Sequence, residues 1–309
     1  MSKKNSDSNE GTRKPLVQNK ILLESARIKK IEKFADNQIV LQLKSPRIAS
    51  IAQPGAFVHI KCAPHLPMRR PMSIMRTSAQ DGSFDILFKV TGIGTEALAS
   101  SSVGDELDTM GPIGKPFKSV RYRRFPLLIG GGVGIPPMIF LADHIRKIAS
   151  EISPLVLMGS ESPFPFKVQP SQIVVSGIPK DVIGAVPLLE DWKVASRLAT
   201  NQNWPGCYQG NVTELAEQYL NSGFHKNNEL EIFACGPMMM LKAVQKLAFK
   251  YKIPCQISLE EHMACAVGGC AGCTIETTNS GITEMKRVCV DGPVFDATTV
   301  VFPNNSEAF

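Results

Sequence analysis

Hydrophobic positions along the chain change their period near Arg124, and the two patterns predict two kinds of structure. From about Asn19 to Val120 apolar and polar residues alternate. Val58, Ile60 and Cys62 fall on one face with His59 and Lys61 on the other, and Phe84, Ile86, Phe88 and Val90 repeat at every second position. Period two predicts strands, and Pro54-Gly55, Asp81-Gly82 and Gly111-Pro112 punctuate them. Several short strands with such breaks suggest a closed antiparallel barrel or a sandwich. Beyond Arg124 the period lengthens. Residues 125–129 form a continuous apolar run, as a strand buried on both faces requires. A helical pattern follows over 136–148, with Met138, Ile139, Leu141, Ala142 and Ile145 on its inner side. Further strands are expected at 155–158, 173–176 and 230–234. Helices are expected after Gly210-Asn211, capped by Asn211 or Thr213, and over Met238–Tyr251. Strands alternating with helices predict a doubly wound α/β domain.

At 309 residues the chain has room for two or three domains. Residues 1–17 are polar, lack apolar periodicity and read as a disordered tail. They carry no apolar core of a signal peptide, and no apolar run approaches the ~20 residues of a membrane span. A cytoplasmic protein without a membrane partner is expected. The net charge of +6 lies in short runs such as Lys29-Lys30 and Arg69-Arg70, and with no nucleic-acid motif a nucleic-acid partner is not expected.

Candidate chemistry concentrates in the last fifth. Cys265, Cys270, Cys273 and Cys289 are spaced C-x4-C-x2-C-x15-C, the spacing of a plant-type [2Fe–2S] loop. Between the first three all residues but Val267 are Gly or Ala, suited to unusual backbone angles and to bare amides facing an anionic cluster. The rival readings are a structural zinc site, which usually splits into two C-x2-C-like pairs, and a disulfide framework, which a long chain without a secretory signal does not favour. Cys62, Cys207 and Cys255 read as structural.

Two motifs sit on the barrel. In Arg70-Pro71-Met72-Ser73 the guanidinium and hydroxyl can reach one ligand from an extended strand. The turn Gly92-Ile93-Gly94-Thr95 leads into a helix and offers amides to a pyrophosphate. In the α/β region Gly130-Gly131-Gly132-Val133-Gly134, followed by Ile135-Pro136, joins strand to helix as in dinucleotide sites, although it is not a full G-x-G-x-x-G. Ser160-Glu161-Ser162 lacks the arginines that suit a 2′-phosphate, which favours NAD(H) over NADP(H).

The order barrel, Gly-rich α/β domain ending in Cys235-Gly236-Pro237, then a four-cysteine loop resembles the ferredoxin-reductase superfamily. The stretch from Leu259-Glu260-Glu261-His262 through Cys273, with Cys289-Val290-Asp291-Gly292-Pro293, is similar to the electron-transfer subunits of NAD-dependent (class 1B) dihydroorotate dehydrogenases. The resemblance implies an FAD-binding β-barrel at 18–121, an NAD-binding α/β domain at 122–255 and a [2Fe–2S] domain at 256–309. It implies FAD held by Arg70, Pro71, Met72, Ser73, Leu87, Phe88, Lys89, Gly94 and Thr95. NAD(H) would be shaped by Gly130, Gly131, Gly132, Gly134, Pro136, Gly236 and Pro237, with Cys235 a catalytic candidate near the nicotinamide, and the cluster held by Cys265, Cys270, Cys273 and Cys289. The partner implied is an FMN-containing catalytic subunit in a two-plus-two heterotetramer. Electrons from dihydroorotate, in pyrimidine biosynthesis, would pass through the cluster and FAD to NAD+. The chain departs from the pattern in its tail, in extra residues around 163–205 and in Ala266, where Gly is common. Two alternatives stand beside it: a reductase subunit serving a ferredoxin- or sulfur-linked partner, and a non-catalytic zinc-binding interaction protein.

Overall fold

A computed structural model describes residues 20–118 and 122–303, so the tail expected at 1–17 lies outside the described residues. Six strands close into an antiparallel barrel: β1 (Leu22–Phe34), β2 (Gln38–Lys44), β3 (Phe57–Ile60), β4 (Arg70–Ser78), β5 (Ser83–Lys89) and β6 (Glu106–Ile113). They run in the spatial order β1-β2-β5-β4-β3-β6, which pairs the first strand with the last and leaves no open edge. The alternating residues meet inside as expected. Val58 and Ile60 pack with Leu41, Leu43, Ile74, Phe84 and Ile86, all buried. Two short helices, α1 (Pro46–Ile51) and α2 (Ile93–Ala99), complete this part.

The α/β part contains β7 (Phe125–Gly131), α3 (Ile135–Ile148), β8 (Leu155–Gly159), β9 (Gln169–Pro170), β10 (Gly184–Ala185), α4 (Pro187–Asp191), β11 (Ala195–Thr200), β12 (Tyr208–Gln209), α5 (Val212–Asn221), β13 (Leu230–Cys235), α6 (Met238–Tyr251) and β14 (Cys255–Ser258). Its central sheet has the order β12-β11-β8-β7-β13-β14-β17, where β17 (Val294–Asp296) returns from the C-terminal segment. The strands are parallel except β17, which runs antiparallel to β14. The hairpin β15 (Thr274–Asn279) and β16 (Ile282–Arg287) lies outside this sheet. Barrel and sheet share a core. Val40, Met75 and Leu87 on the barrel's outer side pack with Met138, Leu141 and Ile145 of α3.

Two expectations need correction. Residues 173–176 form no strand, and Val174 is 90% exposed. The neighbour of β8 on the side away from β7 is β11, inside the region taken as extra. Its sequence, Ala-Ser-Arg-Leu-Ala-Thr, hides the strand because Ser196 and Arg197 are polar yet buried. The Arg197 guanidinium satisfies itself on main-chain carbonyls, Ser196 at 2.6 Å and Ile173 at 2.7 Å. Periodicity cannot anticipate such pairing. The boundary drawn between 255 and 256 falls inside β14, and β17 ties the C-terminal segment into the same sheet.

Candidate cofactor clefts and the thiol loop

A cleft of about 490 Å³ opens where the barrel meets the segment after β14. Arg70, Pro71, Met72 and Ser73 line it from β4, and Leu87, Phe88 and Lys89 from β5. Neighbouring antiparallel strands present both motifs to one space. Gly94 lies behind the wall rather than on it. A Cβ there would stand 2.8 Å from Arg70 Nε, so the missing side chain lets the guanidinium lie against the turn. Arg70 Nη1 donates to the carbonyls of Met68 and Arg69, both at 3.1 Å, which fixes the head group in place. Thr95 lines the cleft, but its hydroxyl closes the turn: it accepts from the amides of Thr91 (2.9 Å) and Gly92 (3.2 Å). Those two amides are therefore not offered to a phosphate.

The far wall of this cleft is Ser258, Leu259, Glu260, Glu261, His262 and Met263. As binding residues these were missed in the sequence, where the stretch served only as a family signature; no periodicity brings it beside β4. Desolvation raises the Glu260 carboxyl above its ordinary range.

A second cleft, of about 660 Å³, lies across the C-terminal ends of β7, β8 and β11, where doubly wound sheets bind ligands. Gly131, Gly132, Ser160, Glu161, Thr200, Asn201 and Pro237 face it. Among the Gly-rich turn and Cys-Gly-Pro residues, Gly130, Gly134, Pro136 and Gly236 do not line it. Gly134 packs instead on the other turn, where a Cβ would sit 2.3 Å from the Cys235 carbonyl oxygen. Asn211 opens α5, its amide donating to Glu214 Oε2 at 2.8 Å. Lys89, Thr91 and Val133 line both clefts, so the two spaces adjoin. Lys89 also crosses between the domains, with Nζ 2.5 Å from Asp36 Oδ2 and 3.2 Å from Ser162 Oγ.

Cys235 is not where a nucleophile belongs. It is fully buried and lines neither cleft. Burial pushes its thiol well above the ordinary range, and the nearby Glu260 charge pushes the same way, so it remains a protonated apolar filler. Cys62 and Cys255 are likewise buried.

Cys207 is half-buried, and the four thiols at the cluster spacing occupy one loop system. Cys270 is exposed on the loop, while Cys273 and Cys289 are buried beneath it. They form two neighbouring pairs. Cys273 Sγ and Cys289 Sγ are 3.3 Å apart, and Cys265 Sγ accepts the Cys270 amide at 3.4 Å. Among the described residues no three His, Cys, Asp or Glu side chains converge as round a single metal ion. Ala266, Gly268 and Ala271 take positive φ of 56°, 82° and 55°, which curls the backbone inward. Amides of Val267, Cys270 and Gly269 face the Cys265 sulfur, and the first of these does most to hold that thiol down to about 6. The donor set suits an anionic iron–sulfur cluster: four thiols, none in a disulfide, under inward amides. Arg287, unnoticed in the sequence, pins the loop. Its Nη1 donates to the Gly268 carbonyl at 2.9 Å, and its amide donates to Asp291 Oδ2 at 2.9 Å.

Residues 260–301 match the family model described as the iron-sulfur cluster binding domain of dihydroorotate dehydrogenase B. The electron transfer subunit of dihydroorotate dehydrogenase B (NAD(+)) from Caldanaerobacter subterraneus subsp. tengcongensis is 32% identical over 251 residues, 81% of this chain and 87% of the relative. The chain belongs to this family. Another of its electron transfer subunits, from Desulforamulus reducens, is 28% identical over 279 residues, 90% of this chain and 97% of the relative. The fold is shared more widely. A solved NADH-dependent reduced ferredoxin-NADP oxidoreductase superposes with a TM-score of 0.72 at 24% identity, covering 90% of each chain. Phthalate dioxygenase reductase superposes at 0.53 and 15% identity, covering 84% of this chain and 87% of that one. The family and the ferredoxin-reductase-like architecture expected from the sequence are thus those found. No helix among the described residues is long and apolar enough to cross a membrane.

Proposed function

We propose that this subunit carries electrons between a separate dihydroorotate-oxidising subunit and NAD+. In this reading a [2Fe–2S] cluster sits in the thiol loop, FAD in the barrel cleft and NAD(H) in the second cleft. The observation that carries it is continuity: Met263 lines the barrel cleft two residues before Cys265, and Lys89, Thr91 and Val133 line both clefts. When bound, FAD exchanges a hydride with a nicotinamide and passes electrons singly to a cluster, which makes it the converter between the two.

The chain's own residues order these groups. Arg70 offers its guanidinium to the FAD pyrophosphate, and Ser73 and Lys89 offer a hydroxyl and an ammonium beside it. Pro71, Leu87 and Met263 supply apolar surface against which a flavin ring excludes water, on strands whose Met72 and Phe88 side chains fill the barrel interior. Gly131 and Gly132 let the nucleotide approach the main chain, and Gly132 has no neighbour within 4 Å of its missing Cβ. Glu161, at the end of β8, suits the free ribose of NAD better than a 2′-phosphate. Cys265, Cys270, Cys273 and Cys289 would hold the cluster, whose anionic charge the amides facing Cys265 suit. The partner is an FMN-containing catalytic subunit, two copies of each chain forming a heterotetramer in the cytoplasm.

Substituting Cys270→Ser tests the path. Coupled NAD+ reduction by dihydroorotate should be lost while NADH still reduces the flavin. A variant that retained the coupled rate would remove the cluster from the path, and a colourless, zinc-loaded protein would remove the function altogether.

A further inference from the structure

His59 is a buried titratable residue that none of the roles above employs. It lies in β3 between β4 and β6, paired with Pro71 on one side and Met110 on the other. Its neighbours Val58 and Ile60 point into the barrel, so His59 points out, on the same side as Phe57. On that side Phe57 packs in the core that includes Cys273 and Cys289, with Met110 and Met263 against it. His59 is fully buried, and neither ring nitrogen has a hydrogen-bond partner.

Burying an unpaired imidazole is costly, and a phenyl ring would fill similar space without that cost. A partner is therefore to be looked for among the groups the ring faces. These are the main-chain carbonyls of Arg69 and Met263, close but not in bonding geometry. Desolvation, then the Arg69 charge, pushes the imidazole down to about 4, so the ring is neutral with one N–H to donate. The Arg69 carbonyl already accepts from Arg70 Nη1 at 3.1 Å. Arg69 itself is anchored on Asp108, to its carbonyl at 2.7 Å and its carboxylate at 2.5 Å. Of the two, the Met263 carbonyl is the one that accepts from no other group among the described residues, so it has the greater need of a donor. It lies on the shared segment that lines the barrel cleft and enters the thiol loop.

We propose that His59 is a positioning residue whose ring N–H donates to the Met263 carbonyl in the cofactor-loaded protein, bracing the entry to the thiol loop against β3, the neighbour of the strand that carries Arg70. The inference rests on the function proposed above. His59 touches neither cleft; it acts through the segment 262–265, on which the separation of flavin and cluster depends.

The test uses the full chain with FAD bound and its cluster reconstituted, as wild type, His59→Phe, His59→Asn and His59→Gln. His59→Phe should speed amide exchange across 262–267 about tenfold, the effect of losing one hydrogen bond. It should also shift the EPR spectrum and the midpoint potential of the reduced cluster, with hydride transfer from NADH to the flavin unchanged. At least one of the two amide variants, which keep a donor, should restore the wild-type exchange and spectrum. A His59→Phe protein indistinguishable from wild type would overturn the brace. Should that variant not fold, failure of both amide variants to match wild type would overturn it equally. A wild type with no reducible paramagnetic centre would overturn the proposed function and the brace together, whereas the other failures leave the function standing.

Discussion

The turn after β7 and the thiol loop are both rich in glycine, for different physical reasons. In the turn, Gly134 has an ordinary φ of −80°, and what it supplies is space: a Cβ would collide with the Cys235 carbonyl at 2.3 Å. Two turns at the end of the sheet are thereby pressed together, and Gly131 is left facing the second cleft. In the thiol loop the requirement is angular. Gly268 takes φ of +82°, and two alanines accept positive φ as well, at 56° and 55°. Such angles tilt successive amides toward the sulfurs. Gly134 is thus a packing device and Gly268 of the thiol loop a backbone device, and Ala266, out of pattern for the family, is compatible only with the second.

The sharpest way to break this contrast is Gly134→Ala. The obstacle is main chain in a buried turn and cannot rotate away, so a loss of at least ~3 kcal/mol or a failure to fold is expected in denaturant melts. A near-neutral result would show that the turns are not locked together. Next is Gly94→Ala, another packing glycine, but one facing the flexible end of Arg70 at 2.8 Å. Stability should fall by about 1 kcal/mol as the displaced guanidinium gives up its bonds to the Met68 and Arg69 carbonyls, while FAD binds about tenfold more weakly. Flavin titration by fluorescence reads this directly, and unchanged affinity would mean that Arg70 is not a flavin contact. The smallest effects belong to purely angular positions. Gly132 has φ of +54° and open space, so Gly132→Ala should cost only about 1 kcal/mol. Ala271→Gly should come out near zero in urea midpoints, because relief of the left-handed angle is offset by a more flexible unfolded chain.

What was legible in the chain follows the range of the interactions involved. Alternation at Val58–Ile60 and Phe84–Phe88 announces barrel strands because side-chain direction is a local property. The strand β11 was illegible because its buried Arg197 depends on a distant carbonyl, that of Ile173 at 2.7 Å, beside the adjacent one of Ser196. Cys235 looked available in sequence, next to a Gly-Pro turn, yet burial leaves it inert. Arg287 carries no local signal at all; only its contact with the Gly268 carbonyl places it under the loop.

The sequence by itself determined the chemistry on offer: four thiols at a cluster-binding spacing, a basic strand motif, and two glycine-bearing turns at the ends of apolar runs. These are statements about residue type and short spacing, which backbone geometry translates locally. Only the tertiary structure decided which of them meet. It set residues 258–263 opposite β4, joined the two clefts through Lys89, Thr91 and Val133, and sealed Cys235 away. Such juxtapositions depend on packing between segments distant along the chain, and no local pattern encodes them.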